Sequence, residues 1–343
     1  PTRAGRLILQ AERELQNAVP NLTLKYSSET PEDFALEAVK TALISAKPSF
    51  ANHEMFVSEF GTGYSIASCY NGLPIGGGSF TLVRLILARL ARKAENTEHF
   101  MNTVLPDAIE KMADYMDQRI SFIMEESGFF ESSFLVKEGL IHKDRFTAMF
   151  GLVGLAECVN HLLGAEKLEE KFGRGEKANE LGYRIIEKMY ELVNTHKNQY
   201  CMATDNHFLL HAQVGIETDY GISPGCRIPI GEEPEIHEHL LQSAVFHKFF
   251  PSGIGDVFSF DETVKNNPQY LLDIIKGGFK SGLRYISFYA SDSDLIRITG
   301  YLVKKSDMEK LDKGSPVLHD TVVLGLGSVK NSRILERKVR GNE

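Results

Sequence analysis

Four cysteines carry the most reactive side chains in the sequence, and their surroundings separate them. Cys158, in GLAECVNHLL, falls within a helical apolar pattern and reads as a small core residue. Cys201 and Cys226 sit in loops with no activating neighbour in sequence. Cys69 differs, because it ends a strand-like segment and opens directly into Asn71, Gly72 and a triple glycine. A side chain there can project into a cavity, so Cys69 is either catalytic or a buried structural thiol. As a nucleophile it needs a base to form thiolate, and none lies close in sequence. A thiol can also react by losing a hydrogen atom, which requires no lowered pKa.

Other candidate chemistry is thinner. In NGLPIGGGS, consecutive glycines let backbone N–H groups approach an anion. No lysine follows Gly78 to complete a Walker motif, so the alternative is a tight loop forced by close backbone packing. His207 and His211, four apart, are placed to share one helical face, but no glutamate follows His207 as a zincin motif demands. His237 and His239 are placed to share a strand face. With no CxxC pair and no third ligand at useful spacing, no bound metal is expected.

The totals narrow the class further. A net charge of -8 gives no general attraction to phosphate backbones or anionic lipid, so nucleic acid is not an expected partner. No apolar run reaches the ~18 residues of a membrane span, and the start lacks a secretory signal. A soluble protein of a reducing cytoplasm is the expectation. The chain opens at Pro1 in what reads as a helix already under way, which suggests missing N-terminal sequence.

These residues must be held by a framework, and 343 residues at 43% hydrophobic suffice for one large α/β domain. Residues 31–47 space Phe34, Ala35, Val39, Leu43 and Ile44 along one helical face. Residues 54–70 read as two strands around Gly61 and Gly63. Helical patterns are expected over 80–93, 97–126, 143–164 and 175–196. Residues 215–256 hold too many glycines and prolines for regular elements, and long loops tend to line sites. A last helix, 262–281, leads into a strand, a polar turn and a second strand.

That second strand raises a question. Leu295, Ile296, Ile298 and Thr299 have the composition of a buried strand, yet Gly300 interrupts them where a side chain ordinarily packs. Arg297, Ile298, Thr299, Gly300 and Tyr301, close to the C-terminal end, resemble the radical-bearing motif of the glycyl radical enzymes. Cys69 and the following SFTLVRLILARLA resemble the cysteine loop and helix of that superfamily, with special similarity to its anaerobic ribonucleotide reductase branch. Gly154, Leu155, Glu157 and Asn160 match a segment of the same branch. Pro224, Gly225 and Arg227 resemble the Pro-Asp-Gly-Arg segment of the pyruvate formate-lyase and glycerol dehydratase branches. The whole chain resembles the C-terminal two-thirds of the YjjI family, whose substrate is unassigned.

The resemblance implies a ten-stranded α/β barrel with surrounding helices, in which the cysteine and glycine loops meet. Residues 1–290 then form the core carrying the cysteine loop (66–79), and 291–343 the glycyl radical segment of the same domain. Gly300 stores the radical, and Cys69 forms a transient thiyl radical that abstracts hydrogen from a small-molecule substrate. Arg297 and Tyr301 orient the radical loop, while Asn71, Glu157, His211 and Arg227 face substrate or hydrogen-bond just behind it. The family also implies a radical-SAM activase acting in trans with SAM and an iron-sulfur cluster, no metal in this chain, a homodimer and anaerobic, oxygen-sensitive chemistry. Three departures limit the transfer of a reaction. Residues 256–300 lack the zinc cysteines of the reductases, no two cysteines are adjacent, and Tyr70 and Asn71 follow Cys69 where dehydratases have Cys-x-Glu. A nucleotide or nucleoside reductase-like enzyme and a non-catalytic partner of the activase remain as alternatives.

Overall fold

The computed structural model describes residues 2–19, 21–67, 69–213, 219, 221–297, 302–315 and 317. Gly300 and Tyr301 lie outside the described residues. The first strands are β1 (Thr23–Tyr26), β2 (Ser49–Asn52), β3 (Tyr64–Ala67), β4 (Asn71–Pro74), β5 (Gly78–Ile86) and β6 (Phe146–Val153). They are followed by β7 (Leu209–Ala212), β8 (Asp256–Phe260), β9 (Tyr285–Ala290), β10 (Leu295–Arg297) and β11 (Leu302–Lys304).

Two sheets organise the mixed α/β fold. In one, β5, β6 and β7 run parallel, with Gly151 of β6 opposite both Arg84 and His211. Every residue of β6 is buried, the pattern of a central parallel strand covered on both faces. The helices Leu105–Ser121, Leu155–Leu163 and Glu176–Thr195 supply much of that cover through Met116, Cys158, Ile185 and Met189. The other sheet has the order β1-β2-β9-β8, in which only the β2–β9 pair is antiparallel. Glu32–Ser45 and Pro268–Lys280 pack over it, bringing Val39, Leu271 and Ile275 onto Phe50 and Phe288. At about 25 cal/mol per Å² of apolar area, such aromatic and branched side chains each contribute on the order of 2 kcal/mol on burial.

Several expectations need correction. Residues 54–60 are helical: Asn52 accepts a hydrogen bond from Met55 N (3.3 Å) as N-cap of His53–Phe60, and Phe56 and Phe60 fall one turn apart. The stretches 80–93 and 143–164 hold the strands β5 and β6, with the helices Leu87–Ala91 and Leu155–Leu163 only after them and a short 3-10 turn, Lys143–Arg145, before β6. An apolar run buried on both faces shows no alternation, so it is easily misread as helix. Within 215–256 a regular helix, Ile236–His247, stands between Pro234 and Pro251, which bound it rather than break it. That helix carries His237 and His239, while His211 lies on β7 rather than on a shared helical face with His207.

The triple glycine is a packing device. A Cβ on Gly77 meets Arg145 O at 2.0 Å, so the loop's backbone lies against the entry to β6. Among the described residues the strands form these two sheets and two ribbons, β3-β4 and β10-β11, with no ring of ten paired strands. A closed barrel requires continuous pairing, and β1, β8, β5 and β7 are sheet edges in this pairing.

Candidate functional site around Cys69

The ribbon β3-β4 is an antiparallel hairpin paired from Tyr64 with Pro74 to Ala67 with Asn71. Cys69 and Tyr70 fall in the turn at its tip, at 7% and 2% exposure. The tip is driven into the molecule rather than out of it. It packs in an apolar cluster with Ala51, Phe56, Tyr64 and Tyr285. Gly72 has room for no side chain there, since its Cβ would lie 2.3 Å from the Phe56 ring.

Three segments grip the tip. Tyr70 donates its hydroxyl hydrogen to Ala212 O on β7 (2.7 Å), and Gly72 N donates to Ser252 O (2.9 Å). The Tyr70 ring meets Tyr285 edge-on at 5.6 Å between centroids and His211 at 5.8 Å. Ser252 Oγ donates to Leu210 O (2.9 Å), so at 3.3 Å it accepts from Nδ1–H of His211. Burial pushes His211 down to about 4, which leaves a neutral imidazole at pH 7. His211 therefore supports the hairpin as an uncharged ring.

Arg227 reaches the same place from the loop after β7. Its Nε donates to Gly255 O (2.9 Å) and lies 3.8 Å from Asp256 Oδ1. Burial alone pushes the Asp256 carboxyl up, but His239 at 2.9 Å and Arg227 outweigh it and hold the group at about 2. Tyr70, Cys226, Arg227, Ser243 and Asp256 line a small recess. Cys226, read from sequence as a loop thiol without an activator, is 6% exposed, and burial and Asp256 push its pKa up. On the far side of the pair, His239 lines a larger groove with Glu235, Phe258, Phe260 and Tyr270. Among the described residues no group of three or more His, Cys, Asp or Glu is placed to hold a metal ion, and no helix is long and apolar enough to cross a membrane.

Arg297 ends β10 at 1% exposure, donating to Ala46 O (3.2 Å) and Asn21 Oδ1 (3.5 Å). Burial lowers its pKa, Tyr285 and Cys69 oppose that shift, and Arg227 adds to it. Asn71 starts β4 opposite Ala67, with a buried Oδ1 that has no hydrogen-bond partner among the described residues. Glu157, in the first turn of Leu155–Leu163, hydrogen-bonds elsewhere: its Oε1 accepts from Ser223 N (3.0 Å) and Ser223 Oγ (2.6 Å). Burial raises its pKa.

Of the residues singled out in sequence, Cys69, His211 and Arg227 gather around Tyr70, Arg297 is anchored on Ala46 O, and Glu157 holds the 223–227 loop through Ser223. Sequence reading missed Tyr285 and Asp256, weighed His239 only as a metal ligand, and noted Tyr70 only as a departure from a motif. For Tyr70 the signal was present, in its position beside Cys69 and in the glycines of PSGIG, residues 251–255.

Comparison with known proteins bears on the family and the fold. The family described as glycyl radical enzyme YjjI-like matches residues 1–340. An uncharacterized protein of Haemophilus influenzae is 46% identical over 99% of this chain and 67% of its own length. The uncharacterized protein YjjI of Escherichia coli is 43% identical over 98% of this chain and 65% of its own. Among solved structures, the B12-independent glycerol dehydratase of Clostridium butyricum aligns with a TM-score of 0.68 at 14% identity, covering 88% of this chain and 52% of that one. The anaerobic ribonucleotide reductase of Thermotoga maritima aligns with a TM-score of 0.69 at 15% identity, covering 90% and 58%. At such identities the likeness is one of fold. The chain thus spans about two thirds of its curated relatives and little more than half of these structures. On the family match and both relatives, it belongs to the YjjI-like glycyl radical enzymes.

Proposed function

We propose that Gly300 stores an unpaired electron and that Cys69 carries it to a small-molecule substrate. A separate radical-SAM activase, with its own iron-sulfur cluster, takes one Cα hydrogen from Gly300. The radical spreads over the flanking amide nitrogen and carbonyl when the centre is planar, a geometry that a side chain would crowd. Cys69 then gives its thiol hydrogen to the Gly300 carbon and becomes a thiyl radical. The two bonds are comparable in strength, so this transfer runs either way. The thiyl takes a hydrogen atom from a substrate carbon, re-forming S–H, and the hydrogen returns to the product radical at the end. Every transfer moves one hydrogen atom.

The observation that carries this reading is the hairpin tip driven into the molecule, which buries Cys69 against Tyr64, Tyr70 and Tyr285, while Arg297, three residues before Gly300, is buried at the end of β10. Arg297 and Tyr301 orient the radical loop, and Asn71, His211, Arg227 and Glu157 face substrate or support those that do. In the reading proposed, residues 1–290 form the core and 291–343 the radical segment, a ten-stranded barrel closes around both loops, and two copies pair in an anaerobic cytoplasm. A closed site excludes oxygen and water from the radicals.

Anaerobic activation of the full-length protein with its activase, followed by electron paramagnetic resonance, tests this. A doublet from the remaining α-hydrogen is expected, absent in G300A. In D2O the thiol exchanges its hydrogen, and transfer from Cys69 replaces the α-hydrogen by deuterium, so the doublet collapses to a narrow singlet. In C69S the doublet should persist. No doublet, or collapse in C69S as in the wild type, overturns the proposal.

A further inference from the structure

We propose that Tyr70 is the positioning residue for Cys69, and that residues 251–255 are rich in glycine so that its ring can lie against their backbone. The inference rests on the Cys69 transfer proposed above.

A two-stranded hairpin is at best marginally stable by itself, so what its tip packs on must set the place of Cys69. Tyr70 supplies that contact. A Cβ on Gly253 meets Tyr70 O at 2.7 Å and its Cδ2 at 2.8 Å. A Cβ on Gly255 meets Tyr70 Cδ1 at 2.9 Å and Tyr285 Cδ1 at 2.9 Å. Gly253 also adopts φ +149°, a conformation that other residues rarely enter. The intervening backbone joins all three segments: Ser252 O accepts from Gly72 N (2.9 Å), and Gly253 O accepts from Ala212 N (3.0 Å). Ala212 O in turn takes the Tyr70 hydroxyl hydrogen at 2.7 Å.

Hairpin, β7 and glycine segment are therefore tied through one phenol whose ring and oxygen are both satisfied. A flexible or smaller residue at 70 leaves a void against two glycines and frees the turn that holds the sulfur. Hydrogen-atom transfer requires contact between the exchanging atoms, and a displacement of about 1 Å can slow such a step ~100-fold.

The experiment follows the collapse of the radical doublet after transfer into D2O in the full-length protein, with amide hydrogen exchange measured on the unactivated protein. Y70L and G255A should form the radical in wild-type yield but exchange its α-hydrogen about 100-fold more slowly. Their amides at 69–72 should exchange faster than in the wild type. Y70F keeps the ring and loses one hydrogen bond, so it should recover most of the rate, to within about fivefold of the wild type. Wild-type collapse rates in Y70L and G255A overturn the positioning role. A wild-type doublet that never collapses overturns the Cys69 transfer instead. In that case the amides decide the placement alone, and wild-type protection of residues 69–72 in Y70L and G255A overturns it.

Discussion

The Nε2 of His239 lies 2.9 Å from Oδ2 of Asp256, with side-chain exposures of 7% and 8%. The carboxylate is also 3.8 Å from Arg227 Nε and accepts a hydrogen bond from Val257 N at 2.7 Å. Removing its charge leaves two donors in an apolar setting with a weaker acceptor. D256N should therefore cost about 3 kcal/mol of unfolding free energy, read from the urea midpoint. A loss below about 1 kcal/mol would mean that water reaches the pair.

The buried histidines make the fold acid-sensitive. Burial pushes His211 down to about 4 and His247 to about 3, from an ordinary value of 6.5. Below pH 6.5 the unfolded chain binds protons that the folded chain excludes. The stability is thus complete above pH 6.5 and is lost as pH falls toward those lower values, by ~1.4 kcal/mol per pH unit for each histidine. Chemical denaturation between pH 6.5 and 4 should show this slope, and H211Q should remove about half of it. A slope unchanged in H211Q would exclude His211 as a source.

What the sequence disclosed follows from how locally each feature is encoded. The helix Glu32–Ser45 was legible because its apolar residues repeat on one face, and Cys69 because a strand-like segment ran into glycines. Strand β6 was not, since burial on both faces erases the alternation that marks a strand. The His239–Asp256 pair joins a helix to the first residue of a strand, and neither residue carries a local sign of the other. Tyr70 was seen only as a departure from a familiar motif, because its meaning lies in contacts made across the fold with Ala212, Gly253 and Gly255.

Glu157 gives a separable test of charge against shape. Both hydrogen bonds from Ser223 end on Oε1, while Oε2 is buried with no hydrogen-bond partner among the described residues. Burial favours the neutral acid, and glutamine offers the same acceptor oxygen without a charge. E157Q should stay within about 1 kcal/mol of the wild type, whereas E157A, which strips Ser223 of its acceptor and opens a cavity, should lose about 2 to 3 kcal/mol. Equal losses in the two variants would show that the negative charge matters.

Two glycines should respond in opposite directions to the same substitution. Gly77 has Arg145 O at 2.0 Å from where a Cβ would stand, and backbone on both sides cannot yield without displacing the entry to β6. G77A should cost about 2 kcal/mol or more, the range of an overpacked core site. Gly277 lies within the helix Pro268–Lys280, where a Cβ meets nothing within 4 Å, so alanine adds helix propensity without strain. G277A should gain about 1 kcal/mol. Thermal denaturation of both variants checks the pair, and a stable G77A would mean that the loop can leave Arg145 without disturbing the β5–β6 pairing from Gly78 and Phe146 onward.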